Sequence, residues 1–101
     1  VLLKDGEELV LRQVPIRVIH TPGHTIGSTC YYVEEADILV SGDTLFFEDV
    51  GRCDLPTSNF ESILHSIREK LFILKNETKV YPGHGFSSTI GHEKDNNSYL
   101  K

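Results

Sequence analysis

Three residues able to bind a metal or move a proton, His24, Asp43 and His84, share one local setting: each directly follows a glycine. Each is also expected just past the end of a β-strand. Pro22 lacks a backbone donor, and Gly23 and Gly27 are entropically costly in a helix, so Thr21 to Ser28 reads as a loop leaving a strand. Pro82-Gly83-His84-Gly85 reads the same way, and Ile38-Leu39-Val40 runs into Ser41-Gly42-Asp43. Loops at the ends of strands often gather outside one sheet edge, where imidazoles and a carboxylate can converge on an ion. Neutral imidazole suits zinc or iron, a carboxylate can bridge two cations, and the pKa of a shared water then falls toward neutrality. Spacing alone leaves a second reading open. Gly-His and Gly-Asp are ordinary strand-end turns, and Asp43 beside Thr44 can cap one.

The other chemically capable residues carry weaker signals. His20 lies four before His24, but an HxxxH pair works on a helix, which Pro22 and Gly23 oppose, so His20 reads as a packed or solvent-facing strand end. His65 and His92 read as helix-surface residues, Cys30 as core, and Cys53 has no basic partner in a defined geometry. Arg52 and Asp54 flank Cys53; they either brace a surface loop by a local ion pair or support the ligands from behind through hydrogen bonds. No Gly-Lys-Ser/Thr unit or other phosphate-loop spacing is present.

The elements that must position these residues follow from periodicity. Val1 to Leu3 and Glu8 to Leu11 are expected as short strands around a turn at Asp5-Gly6, ended by Pro15, with Ile16 to Ile19 a third strand. Thr29 to Val33 and Ile38 to Val40 form a hairpin that ends in Asp43. Thr44 to Thr57 has no period and contains Gly51 and Pro56, the pattern of a long connection lining a site. Ser58 with Glu61 makes a capping box, and Phe60, Ile63, Leu64, Ile67 and Leu71 fall on one face of a helix from Asn59 to about Leu71. Thr78 to Tyr81 is a further strand, and a short helix from about Thr89 to Asn96 follows. The predicted class is α/β (α+β), a mixed sheet with amphipathic helices on one face. One long amphipathic helix is too little to cover both faces of such a sheet.

Composition bounds the function. The 101 residues, 39% of them hydrophobic, suffice for one modest core. Fifteen acidic against ten basic residues, a formal charge of -5, give no basic surface for a nucleic acid. No run approaches the roughly 18 to 20 apolar residues that cross a bilayer, and the first fifteen positions lack a signal-peptide core, so a soluble, cytoplasmic chain without membrane contact is expected. Two cysteines without a CxxC unit suggest reduced thiols.

Four ordered segments resemble the metallo-β-lactamase-fold hydrolases of the glyoxalase II (hydroxyacylglutathione hydrolase) type: His20-Thr-Pro-Gly-His-Thr-Ile-Gly-Ser28, Ser41-Gly-Asp-Thr-Leu-Phe46, Gly51-Arg-Cys-Asp-Leu-Pro56, and Tyr81-Pro-Gly-His-Gly85 with Thr89-Ile-Gly91 and Glu93. The resemblance implies half of a four-layer αββα sandwich, residues 1–101 being a partial domain. It implies that His24 serves one metal, Asp43 bridges two and acts in catalysis, and His84 serves the second metal. Two zinc ions are the implied cofactor, or iron if the likeness is to persulfide dioxygenases. The implied substrate is a small-molecule thioester such as hydroxyacylglutathione. The family's HxHxDH cluster does not occur in these residues. Three ligands do not complete a binuclear site, so this chain is expected to be a hydrolase fragment that needs an N-terminal half or another chain, or else an inactive half-domain.

Overall fold

The computed structural model describes residues 6, 8–11, 14–25, 28–52 and 59–100. Six strands form one mixed sheet: β1 (Glu8–Leu11), β2 (Val14–His20), β3 (Thr29–Val33), β4 (Ile38–Gly42), β7 (Lys79–Pro82) and β8 (Ser88–Thr89), in that spatial order. Between β4 and β7 the chain makes a small separate hairpin, β5 (Leu45–Phe46) with β6 (Asp49–Val50), and then helix α1 (Phe60–Ser66). Helix α2 (Ile90–Asn96) follows β8. The mixed sheet and the second helix agree with the pattern read from the sequence.

Strand direction decides where the loops go. β2 pairs antiparallel with β3, β3 antiparallel with β4, and β4 parallel with β7. Strands β2, β4 and β7 therefore run the same way, and their carboxyl ends lie at one sheet edge. His24, Asp43 and His84 follow those three ends.

Period-two alternation sorts the sheet's side chains between two faces. One face turns Ile19, Cys30, Tyr32, Leu39 and Val80 into a core shared with Ile63, Leu64, Ile67 and Leu71 from the helical segment and Ile90 from α2. Burial of such apolar side chains contributes about 1.5–3 kcal/mol each. The other face carries Val18, Tyr31, Val40 and Tyr81, cross-strand neighbours in one register row over β2, β3, β4 and β7. Val40 and Tyr81 on that row are 41% and 42% exposed. The described helices contribute their buried apolar residues to the core on the first face.

Three local expectations are corrected. Pro15 does not end the first hairpin; it is the exposed second residue of β2, opposite Val10, a position near a strand start where a missing donor is tolerated. The cap of α1 is Asn59, whose side chain accepts from the Ser62 backbone N–H at 3.0 Å, one residue later than the Ser58 reading. The helix does not stay regular to Leu71: Ile67–Leu71 is a π turn, closed by Phe72 N–H donating to Ile67 carbonyl at 2.9 Å. The widened turn keeps both Ile67 and Leu71 fully buried. The expected strand at Val1 to Leu3, and Ser58 itself, lie outside the described residues.

Candidate metal-binding edge

The loop carrying His24 is fixed from both sides. Thr21 N–H donates to Ser28 carbonyl at 2.9 Å, and the Thr21 hydroxyl, fully buried, bonds to that of Thr44 at 2.9 Å. Gly23 takes φ +148°, a conformation L side chains rarely adopt, and a Cβ there would strike the backbone of Ile63 on α1. Its carbonyl accepts from Asn59 N–H at 2.6 Å, joining the loop to the start of α1. Both the twist of the loop and its closeness to the helix thus require glycine immediately before His24.

His24 is oriented by the main chain of a distant segment. Its Nδ1 lies 2.8 Å from the carbonyl oxygen of Arg52. A carbonyl only accepts, so Nδ1 carries the hydrogen and, in the neutral ring, Nε2 holds the lone pair. That nitrogen faces Asp43 Oδ2 at 3.8 Å. The side chain is only 17% exposed.

Asp43 presents its second oxygen to the other imidazole: His84 Nδ1 is 3.9 Å from Asp43 Oδ1. The His84 ring stacks at a tilt on Phe46, centroids 4.6 Å apart, and remains largely exposed. Gly83 brings the β7 loop against Asp43, its N–H donating to Gly42 carbonyl at 2.8 Å. Gly51 makes the β6 end equally tight, since a Cβ there would meet the Asp43 carbonyl oxygen. Its N–H donates to Thr44 carbonyl at 3.0 Å.

The three residues predicted to share an ion are therefore brought to one edge, with one carboxylate between two imidazoles. Among the described residues, no group of three or more His, Cys, Asp or Glu side chains already stands at the spacing an ion demands. Two ligands about 2.0–2.1 Å from one tetrahedral zinc are roughly 3.3–3.4 Å apart, so each gap is about half an ångström open. Arg52 touches the site through its carbonyl, a main-chain contribution that side-chain chemistry alone does not reveal. Asp54 and Cys53 lie outside the described residues. His20, His65 and His92 are not among the residues lining the cleft at this edge.

That cleft encloses about 940 Å³ and is walled largely by aromatic rings. Phe47 and Phe86 meet edge to face at 5.8 Å, and Phe60 and Tyr99 at 6.2 Å. Sequence reasoning places Phe60 on the buried helical face; it is 43% exposed and faces the cleft. Cys30, beneath the site, is buried, and burial pushes its thiol above the usual range while hydrogen bonds from Thr21 and Thr44 pull the other way.

A family model, the metallo-beta-lactamase superfamily, matches residues 1–84, and the chain belongs to that superfamily. A probable metallo-hydrolase of Streptococcus pyogenes serotype M6 is 50% identical over 83 residues, covering 82% of this chain and 36% of its own. The hydroxyacylglutathione hydrolase GloC of Haemophilus influenzae is 37% identical over 97 residues, covering 96% and 46%. Among solved structures, the BLEG-1 B3 metallo-beta-lactamase superposes with a TM-score of 0.92 at 40% identity, over 97% of this chain and 47% of that one. TTHA1623 in a di-iron-bound form gives 0.88 at 38% identity, over 97% and 47%. The chain thus spans half or less of the curated relatives it matches, and its sheet and helices correspond to roughly half of an αββα sandwich. No helix among the described residues is long and apolar enough to cross a membrane.

Proposed function

We propose that this chain supplies one side of a metal-dependent hydrolase centre, with His24, Asp43 and His84 as its ligands and a small-molecule thioester as substrate. The observation that carries the proposal is the divided carboxylate: Asp43 turns one oxygen toward His24 and the other toward His84. A carboxylate placed between two imidazoles would suit a ligand shared by two cations. The donor set, two imidazoles and a carboxylate, suits zinc or iron. Zinc is the leading metal, two per completed site, and the di-iron relative makes iron the alternative.

When bound, such a centre supplies an activated water and a Lewis acid for a carbonyl oxygen. This chain's residues then have separate tasks. The Arg52 carbonyl holds His24 in the tautomer whose Nε2 can ligate. Asp43 keeps a negative charge between the two imidazoles and, as a bridge, is the residue assigned to catalysis. Asp54, with Arg52, is assigned a supporting role behind the ligands. Phe46, Phe47, Phe60, Phe86 and Tyr99 exclude water from the acyl group of a substrate seated in the cleft. Hydroxyacylglutathione is the leading specific substrate, supported by likeness to GloC.

Residues 1–101 are proposed as a partial domain completed by an N-terminal half or another chain, which contributes the remaining ligands. The exposed apolar row of Val40 and Tyr81 supports this, because contiguous apolar sheet surface of this kind is normally covered. The same row favours a second reading, a half-domain without activity of its own that acts by pairing. Mixing the chain with the complementary half of a close relative, then measuring zinc uptake and hydroxyacylglutathione hydrolysis, separates the two. The proposal expects metal-dependent turnover in the mixture. Stable pairing and zinc uptake without turnover favours the inactive half-domain, and enzyme-like turnover by the chain alone contradicts the incomplete site.

A further inference from the structure

Glu93 and Asn97 are both fully buried, yet neither lines the cleft. Buried polar side chains are costly unless bonded, and these two are bonded to one another and to one target. Glu93 Oε1 accepts from Asn97 Nδ2 at 2.9 Å and from the backbone N–H of Glu48 at 2.9 Å, while its Oε2 accepts from the Ser88 hydroxyl. Asn97 Nδ2 also donates to the backbone carbonyl of Asp49 at 3.1 Å. Glu48 lies in the turn of the β5–β6 hairpin and Asp49 opens β6, and Glu48 holds φ +54°, uncommon for a residue with a side chain. Outside this clamp, His92 stacks on Phe47 at 5.1 Å and bonds Glu48 Oε2 at 2.9 Å.

The hairpin so held is linked to each of the three candidate ligands. Asp43 stands at its entry. Phe46, on β5, lies against the His84 ring. Arg52, whose carbonyl fixes the His24 tautomer, stands at its exit. A shift of the hairpin by an ångström therefore disturbs all three candidate ligands at once, although Glu93 touches none of them.

We infer that Glu93, seconded by Asn97, is a positioning residue for the His24, Asp43 and His84 edge, acting through the β5–β6 hairpin. This inference rests on the proposed ligand set, but its first test does not. In the metal-free protein, the His84 ring protons should show a ring-current displacement from Phe46, and His24 should show a single Nδ1–H tautomer in its nitrogen shifts. Glu93→Ala is expected to remove most of the His84 displacement and to give His24 mixed tautomers. Glu93→Gln, which keeps an oxygen for the Glu48 N–H, restores both. Zinc affinity of the completed site is expected to fall roughly tenfold in Glu93→Ala, the lower end of what loss of a supporting partner costs. If Glu93→Ala does not fold, Asn97→Ala gives the same reading from the other arm. A folded Glu93→Ala protein with unchanged His84 shifts and His24 tautomer overturns the inference. Changed shifts in a protein whose wild type binds no zinc leave the clamp standing and remove the ligand assignment.

Discussion

The Nδ1 of His24 donates to the backbone carbonyl of Arg52 at 2.8 Å, a bond that links loops on different parts of the fold. Because the acceptor is main chain, this bond itself does not require an arginine at residue 52. Arg52→Ala, which keeps that carbonyl, is expected to cost the completed site less zinc affinity than the loss of a ligand. Asp43→Asn or His24→Ala, which alter a ligand itself, should exceed the roughly 10–100-fold cost of losing an outer partner. Competition titration with a chromophoric chelator measures all three.

Gly51 is predicted to be irreplaceable for packing. Its Cβ position is occupied by the Asp43 carbonyl oxygen, an atom of the backbone that cannot swing aside. Gly51→Ala should cost about 1–3 kcal/mol, the usual range for overpacking, and displace Asp43. Urea denaturation with an unchanged m-value reads the stability loss.

The two faces of the sheet should respond differently to substitution. Leu39→Ala removes a fully buried side chain and is expected to cost about 2–5 kcal/mol. Val40→Ser, the next residue on the exposed face, should change the chain's own stability by no more than about 0.5 kcal/mol. It should nevertheless weaken pairing with a complementary half, which sedimentation or fluorescence titration can measure.

Cys30 sets a pH dependence at the alkaline side. Burial favours its neutral thiol, so the folded state retains that proton above the ordinary value of 9.0 at which the unfolded thiol ionises. The unfolded state then binds fewer protons, and stability falls as pH rises. The contribution is fully present below about pH 9 and is lost above it, at up to about 1.4 kcal/mol per pH unit. The stability advantage of the wild type over Cys30→Ala should be flat from pH 6 to 8 and shrink above about pH 9 in denaturation experiments.

Much of this arrangement was legible in the sequence. Glycine before each of His24, Asp43 and His84 marked tight turns at strand ends, and the parallel direction of β2, β4 and β7 turned those ends into one edge. The core residues Ile63 and Leu64 of α1 and Ile67 and Leu71 of the π turn followed from spacing, although Phe60 did not, because its place at the first turn lets it lean toward the cleft. Asn59 displaced Ser58 as the cap since the two are equally competent chemically and only backbone geometry chooses. The Arg52 carbonyl was hidden because a main-chain acceptor leaves no residue-type signature. The Glu93 clamp was hidden for a related reason: a buried carboxylate between polar neighbours in a helix reads as surface until its partners are known.

The most direct test of the ligand assignment is a zinc titration followed by nitrogen-resolved NMR of the five imidazoles. The predicted result is selective displacement of His24, at Nε2, and of His84, with His20, His65 and His92 unmoved and the effect abolished in Asp43→Asn. Uniform small shifts across all five rings, or selective movement of His92 or His20 instead, would contradict the shared edge of His24, Asp43 and His84.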